Sequence, residues 1–166
     1  MENKFTKDLE GALDNLHING AFLTAGDENK SNTMTISWGS IGFMWRKPVF
    51  MALVRTNRYT NEFLKNGESF TISIPYHGKM KEALKICGTK SGRDINKEEE
   101  ANIKFIKSKS VSTPVIEGCD KYYECKVLYK NKMDLNNFDK DLVDTFYKGE
   151  NNKEHVLYFG EIVSEY

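Results

Sequence analysis

The feature that most restricts the fold of this chain is a series of short runs rich in β-branched and aromatic residues, separated by Gly, Asn or Pro. Such runs, many of them about five to eight residues long, are typical of β-strands. The predicted strands cover residues 21–25, 33–37, 49–55, 70–75, 103–106, 122–129 and 156–163. Because they are short and follow one another at fairly even intervals, a closed or split barrel explains them better than a parallel α/β sheet.

The spacing of apolar residues predicts helices around these strands. At the N-terminus, one helical face carries apolar side chains three or four residues apart: Phe5, Leu9, Leu13 and Leu16. In the middle of the chain, one helix follows Thr60 and ends at Gly67, and another runs from about residue 79 to 86 and ends at Gly88. A further helix over residues 135–148 precedes the last strand and is expected to direct these side chains inward: Phe138, Leu142, Val143 and Phe146.

The composition excludes several classes of protein. With 166 residues the chain fits one domain, residues 1–166, which is large enough to fold without disulfides or metal ions. Lys plus Arg and Asp plus Glu are equal at 24 each, so the charge balance does not favour a nucleic-acid partner. The charged N-terminus has no apolar signal region, no window is apolar enough to span a membrane, and the three cysteines lack metal-site spacing. We therefore expect a cytoplasmic protein with reduced thiols and no membrane partner.

The arginines are concentrated in one part of the chain. All four lie within or just after residues 32–75, although Lys plus Arg total 24: Arg46, Arg55, Arg58 and Arg93. Arginine forms paired hydrogen bonds with phosphate better than lysine does. The clustering therefore indicates a phosphate site, with chance placement in a lysine-rich chain as the alternative.

Thr60 is predicted to cap the helix that follows it, so its hydroxyl and the first backbone N–H groups would point to one spot. Arg55, at the end of a strand, and Arg58, in the turn, are expected to bring their guanidinium groups there. The sequence has neither GxGxxG nor GxxxxGK[ST], so these features favour a monophosphate. The alternative is that Thr60 only caps a helix and the arginines form surface ion pairs.

The segment NTMTISWG alternates as a strand and places an amide, three hydroxyls and a large aromatic ring close together. A flat heteroaromatic ligand needs hydrogen bonds at its edge and an apolar wall. The backbone of an exposed strand edge is expected to supply the hydrogen bonds, and Trp38 or Met34 the apolar wall. The alternative is an ordinary half-buried strand.

Seven segments occur in the order found in one protein family: GAFLTAG, NTMTISWG, RTNRYT, ESFTISIP, CGTKSGRDINK, YYECKV and HVLYFGEIV. Together they resemble the flavin reductase-like family of FMN-binding split β-barrels, and within it the flavoredoxin-like members. The resemblance implies a mostly β fold with peripheral helices and Greek-key character. It also implies a homodimer with one FMN per subunit near the interface.

The resemblance assigns two sets of residues to the cofactor. The ring would lie along the first set, and the second set would hold the phosphate or approach the ring or an incoming nicotinamide. The first set is Asn32, Thr33, Met34, Thr35, Ile36, Ser37 and Trp38. The second set is Arg55, Arg58, Tyr59, Thr60, Ser91, Gly92 and Lys97.

Two single residues receive a more specific expectation. Lys97 would lie near the N1–C2=O edge of the flavin and stabilise the anionic reduced ring. The alternative is a solvated lysine beside Glu98, which stands where the family commonly has an aromatic residue. His155 matches a family histidine at the start of the last strand and is the candidate catalytic residue, as a hydrogen-bond donor or proton carrier. The alternative is a structural or surface histidine.

The resemblance predicts an oxidoreductase that takes a hydride from NADH or NADPH onto FMN and passes electrons to a second acceptor, such as a redox protein. No dinucleotide fingerprint is present, so the nicotinamide would stack transiently on the exposed flavin face. One alternative is an FMN electron carrier without its own NAD(P)H activity. Another is an enzyme that uses free flavin as its substrate.

Overall fold

The computed structural model describes residues 5–166, so residues 1–4, the start of the predicted domain, lie outside the described part. Its strands are β1 (Ala21–Gly26), β2 (Ser31–Ile36), β3 (Gly39–Met44), β4 (Lys47–Arg55), β5 (Ser69–Ile74), β6 (Phe105–Ile106), β7 (Val115–Ile116), β8 (Lys121–Lys132) and β9 (His155–Glu165). Its helices are α1 (Leu9–Asn19), α2 (Tyr59–Asn66), α3 (Lys81–Thr89), α4 (Lys97–Glu100) and α5 (Lys140–Phe146), the last preceded by a 3-10 turn (Leu135–Asn137).

Seven strands form one antiparallel sheet in the order β2-β1-β5-β8-β9-β4-β3, and β6 pairs with β7 separately. This confirms the predicted mostly β fold with peripheral helices. The sheet does not close, since β2 and β3 are its edges. No helix among residues 5–166 is long and apolar enough to cross a membrane.

The sheet curls around the larger of two apolar clusters. Phe50 of β4 contacts Phe70 of β5 with ring centroids 6.4 Å apart and Tyr123 of β8 at 5.8 Å, although β8 and β9 separate β4 from β5 in the sheet. Leu16 of α1 belongs to the same buried cluster. A second cluster, which includes Phe22 of β1, lies beneath α3. The curl brings the two ends of the sheet toward each other and so creates a concave surface.

The predicted strands are confirmed, but the sequence did not predict β3, β7 or α4. Two glycines dilute the strand pattern of β3, GSIGFM. Its turn to β4 uses Trp45 and Arg46 at positive φ, 53° and 59°, where hairpins usually carry Asn or Gly. A turn without its usual residues gives no sequence signal.

Two helix predictions need correction. Helix α3 ends at Thr89, three residues beyond the predicted last residue 86, and Gly88 lies inside it. A Cβ at Gly88 would lie 3.2 Å from Cβ of Thr35, so this glycine allows α3 to approach β2. The predicted helix over 135–148 is shorter and has no buried residue, with Leu142 45% and Phe146 37% exposed. It lies outside the core because the chain leaves the sheet between β8 and β9.

Gly160 of β9 provides a test of the core. An added Cβ would lie 2.5 Å from the ring of Phe70 and 2.7 Å from Cβ of Cys125, whereas a Cβ at Gly42 of β3 meets nothing within 4 Å. We expect Gly160→Ala to lower the free energy of unfolding by about 1–3 kcal/mol through overpacking. Gly42→Ala should change it by less than about 0.5 kcal/mol. Urea unfolding measures both, and equal effects would contradict this account of the core.

Candidate functional site

Two adjoining pockets share Arg58 and form one cleft beside β2. The first, here called the strand pocket, is lined by Met34, Thr35, Ile36, Ser37, Trp38, Leu53, Arg55, Arg58 and His155. The second, the loop pocket, is lined by Asn32, Asn57, Arg58, Tyr59, Thr60, Thr89, Lys90, Ser91, Arg93 and Lys97. The structure therefore brings together most of the residues that the sequence assigned to a cofactor.

Thr33 and Gly92 are the two predicted cofactor residues that do not line the cleft. The Thr33 hydroxyl is buried between Thr24 Oγ1, at 3.0 Å, and the Leu23 carbonyl, at 3.2 Å. Gly92 lies against Asn32, and a Cβ at this position would be 2.1 Å from Asn32 Oδ1. Both residues therefore pack next to the residues that line the cleft and do not line it themselves.

Two cations of the loop pocket bind the C-terminal end of α3. Arg58 donates from Nη1 to the Gly88 carbonyl (2.9 Å) and from Nη2 to the Cys87 carbonyl (3.3 Å). Lys97 Nζ donates to the carbonyls of Thr33 (2.7 Å) and Cys87 (3.0 Å). Among residues 5–166 neither cation forms an ion pair with a carboxylate. Both side chains have more N–H donors than these bonds use, so they can also bind an anion in the pocket.

Lys97 is not the solvated lysine of the alternative interpretation, because its residue is only 6% exposed. The Asn96 side chain caps α4 by accepting bonds from the amides of Glu98 and Glu99, and Glu98 accepts from the Phe105 amide at 3.0 Å. Burial lowers the pKa of Lys97 to about 8, and the nearby Arg58 contributes in the same direction. Burial also lowers the pKa of Arg58, with a smaller contribution from Arg55. Positive charge is thus concentrated in a partly desolvated corner.

Thr60 does not cap the helix, which corrects the sequence prediction. Helix α2 begins at Tyr59, and Arg58 occupies the cap position without a capping side-chain bond. The Thr60 hydroxyl instead accepts a hydrogen bond from Asn32 Nδ2 at 2.7 Å. This bond joins the first turn of α2 to β2, so the amide and the hydroxyl lie at the same end of the cleft.

The position of Arg55 also differs from the prediction that it joins Arg58 and Thr60 at one spot. Arg55 lines the strand pocket and not the loop pocket. Its guanidinium donates to the carbonyls of Lys153 (2.7 Å) and Phe146 (3.2 Å). The segment between β8 and β9 supplies these carbonyls, which the local sequence around Arg55 cannot indicate.

His155 lies opposite Arg55 in the pairing of β4 with β9. The imidazole is buried, its Nδ1 is 2.8 Å from the Tyr147 hydroxyl, and its ring centroid is 5.7 Å from that of Trp38. Burial, with a smaller contribution from Arg55, lowers the pKa of His155 to about 4. The side chain is therefore neutral near pH 7, when it can donate one hydrogen bond but cannot supply positive charge.

Sequence reasoning placed Phe146 on the inward face of the predicted 135–148 helix, but it assigned neither Phe146 nor Tyr147 to the cofactor site. The Phe146 ring lies edge-on to Trp38 with centroids 5.1 Å apart, and Tyr147 contacts both His155 and the guanidinium of Arg55. Both residues are about a hundred positions from β2 in the sequence, and no local pattern links them to it. Only the pairing of β4 with β9 brings them near.

His155 makes stability depend on pH. Its pKa falls from 6.5 to about 4 on folding, so the unfolded chain binds more protons between these values. This contribution to the free energy of unfolding is complete above about pH 6.5 and is lost as the pH falls toward 4, by on the order of 3 kcal/mol. We expect the stability difference between the wild type and His155→Gln to shrink over that range. Urea unfolding from pH 7 to 4 measures it, and a constant difference would contradict the buried neutral imidazole.

Comparison with known proteins places the chain in a family. Residues 18–165 match the model described as the flavin reductase like domain. An uncharacterized protein of Archaeoglobus fulgidus is 28% identical over 116 residues, which are 70% of this chain and 64% of that protein. The chain thus covers less than two thirds of that relative.

Solved structures show the same fold. Flavoredoxin from Methanosarcina acetivorans is similar with a TM-score of 0.66 and 22% identity over 89% of this chain and 67% of that chain. Flavoredoxin of Desulfovibrio vulgaris (Miyazaki F) is similar with a TM-score of 0.67 and 18% identity, over 89% of this chain and 68% of that chain. The NADH:FAD oxidoreductase of Streptomyces globisporus is similar with a TM-score of 0.64 and 14% identity, over 89% of this chain and 74% of that chain. The fold is therefore that of the split barrel that the sequence predicted, and the chain belongs to the flavin reductase-like family.

Proposed function

We propose that the cleft binds one FMN, and that the protein is an oxidoreductase which takes a hydride from NADH or NADPH and passes electrons to a second acceptor. The phosphate occupies the loop pocket and the tricyclic ring lies along β2 in the strand pocket. One observation carries the proposal: Arg58 and Lys97 have spare donors and no carboxylate partner among the described residues, at one end of a cleft with an aromatic wall.

The loop pocket suits a phosphate better than it suits the carboxylate of a side chain. Its remaining cations already have partners, since Lys90 pairs with Glu100 at 2.9 Å and Arg93 pairs with Glu62. The Thr60 hydroxyl accepts from Asn32 and retains its own proton for donation. A dianionic phosphate would therefore meet two cations and a hydroxyl, which are the groups that form strong charge-assisted bonds.

The strand pocket suits a flat ring. Strand β2 is an edge of the sheet, so its outer backbone groups have no partner strand. One of these groups, the Thr33 carbonyl, already accepts from Lys97, and the Thr35 hydroxyl bonds to the Leu84 carbonyl at 2.5 Å. The backbone toward Ser37 remains to meet the polar rim of the ring, while Trp38, 42% exposed, offers an apolar surface.

When bound, FMN would supply the redox chemistry, since its ring accepts a hydride with two electrons from the nicotinamide, which is oxidised. The residues of the chain hold and tune it. Lys97 lines only the loop pocket, where it would bind the phosphate, whereas Arg58 lines both pockets and also brings positive charge toward the ring, which favours its anionic reduced form. The neutral His155 can donate from Nε2 when the Tyr147 hydroxyl donates to Nδ1.

The second candidate is an FMN electron carrier without its own NAD(P)H activity. Phe146 and Tyr147 contact Trp38 and His155 of the strand pocket, and aromatic rings beside these two residues would leave less room for a stacked nicotinamide. Flavoredoxins are also among the proteins that share the fold. A third candidate, in which free flavin is the substrate, predicts a protein that purifies largely colourless and turns over added FMN or FAD.

We also propose a cytoplasmic homodimer. Two exposed aromatic side chains, Trp45 at the β3–β4 turn and Tyr129 on β8, form a patch with Phe159. Contiguous exposed aromatic surface is typical of interfaces, and a second copy is the occupant implied by the family. The three cysteines are free thiols, which suits a reducing compartment.

The phosphate assignment is tested by comparing FMN with riboflavin, which lacks the phosphate. Each charged hydrogen bond to phosphate contributes about 1.5–3 kcal/mol, so Arg58→Ala with Thr60→Ala should weaken FMN binding by tenfold to a hundredfold or more. Riboflavin affinity should change much less, which separates lost phosphate contacts from a damaged α3. Arg46→Ala, an exposed arginine at the β3–β4 turn, is the matched control. Unchanged FMN affinity, measured by fluorescence titration, would remove the assignment.

Anaerobic stopped-flow mixing separates the enzyme from the carrier. We expect NADH or NADPH to bleach the visible flavin band within seconds, because the proposed enzyme transfers a hydride from the nicotinamide to the flavin ring. The control is dithionite, which should bleach the flavin in either case. Bleaching by dithionite alone over minutes would leave the carrier as the function.

A further inference from the structure

Between β8 and β9 the chain leaves the sheet over residues 133–154, here called the wall segment. Its helix α5 has no buried residue, and it belongs to neither apolar cluster. A segment with few buried apolar contacts opens at low free-energy cost compared with the core. The wall segment can therefore move without unfolding the sheet.

Both ends of the wall segment are fixed to the sheet. The Met133 amide donates to the His155 carbonyl at 2.9 Å, and the Thr56 amide donates to the Glu154 carbonyl at 3.0 Å. Lys132 and Glu154 form an ion pair at 2.6 Å. With its ends held in this way, the middle of the segment can swing while its attachment points stay in place.

The middle of the wall segment is held mainly by residues of the strand pocket. Phe146 lies against Trp38, with centroids 5.1 Å apart, and the Tyr147 hydroxyl is 2.8 Å from His155 Nδ1. Arg55 donates to the carbonyls of Phe146 and Lys153. Trp38, Arg55 and His155 thus line the pocket and hold the segment at the same time.

Because the same three residues line the pocket and hold the wall segment, a large molecule cannot contact them while the segment stays in place. A large partner that lays a ring on the pocket competes with Phe146 for contact with Trp38. An anionic partner competes for Arg55, because a charged acceptor binds guanidinium more strongly than a backbone carbonyl does. A reagent of a few atoms needs neither contact.

We propose that Phe146 and Tyr147 determine the specificity of the site by size, excluding bulky redox partners from the strand pocket until the wall segment swings aside. The inference rests on the proposed function, since it concerns partners of bound FMN. A purely structural brace would instead stabilise the fold without distinguishing large from small partners.

The first experiment needs no flavin. The chain has two tryptophans, so Trp45→Phe leaves Trp38 as the only one, and acrylamide quenching then reports access to the pocket wall. In this background Phe146→Ala should raise the quenching constant at least twofold. Leu142→Ala removes an exposed apolar residue of the same helix and is the matched control, expected to leave it unchanged. Equal quenching in all three proteins would overturn the proposal.

The second experiment compares partners of different size on the FMN-loaded protein. We expect Phe146→Ala and Tyr147→Ala to raise the rate with a bulky partner at least fivefold, with NADPH or NADH as donor and cytochrome c as acceptor. Rates with dithionite and ferricyanide should stay within twofold, and Leu142→Ala should behave as the wild type. A uniform change across all four reagents, or none, would refute size selection.

The two experiments also separate this inference from the proposed function. If the protein binds no FMN, the proposed function fails, while the quenching result still decides whether Phe146 shields Trp38. If FMN binds and NAD(P)H does not reduce the wild type, the acceptor comparison decides the role of the wall. If FMN binds but the variants change the rates with large and small reagents equally, this inference fails and the proposed function stands.

Discussion

The hydrogen bonds of Arg58 and Lys97 to one carbonyl, that of Cys87, are the interaction on which the site depends. Arg58 stands at the start of α2, Lys97 begins α4, and Cys87 lies near the end of α3. Lys97 also bonds to the Thr33 carbonyl of β2. Three helices and the edge strand are thereby joined at one point. Carbonyls at a helix C-terminus carry partial negative charge, which stabilises both cations without neutralising them.

Burying cations that have no carboxylate partner costs free energy, as the lowered pKa values of Lys97 and Arg58 show. A chain selected for stability alone would pair them or replace them with apolar residues. An anion in the loop pocket would offset the cost, and the phosphate of the proposed FMN is the anion that we assign to it. At the opposite end the charge is lower, because His155 is neutral and Arg55 is bound by carbonyls. The cleft therefore has a charged end and an aromatic end.

Much of the architecture could be predicted because strands and helices are encoded locally. Alternating and β-branched runs predicted the strands. The segments 32–38 and 55–60 line one cleft, although Asn32 lies in the loop pocket and Arg55 in the strand pocket. The details within it were harder. Thr60 was expected to cap α2 and bonds to Asn32 instead, since the curl of the sheet brings β2 to the first turn of that helix.

The sequence by itself determined the mostly β fold class, because hydrophobic periodicity and turn residues act over a few positions, and the resemblance to a known family implied which segments meet at the cleft. Only the tertiary structure decided that Lys97 is buried, that Arg55 lines the strand pocket, and that Phe146 and Tyr147 contact Trp38 and His155 of that pocket. The physical reason is distance along the chain. Burial and long-range hydrogen bonds depend on which strands become neighbours, and the pairing of β4 with β9 joins residues about a hundred positions apart.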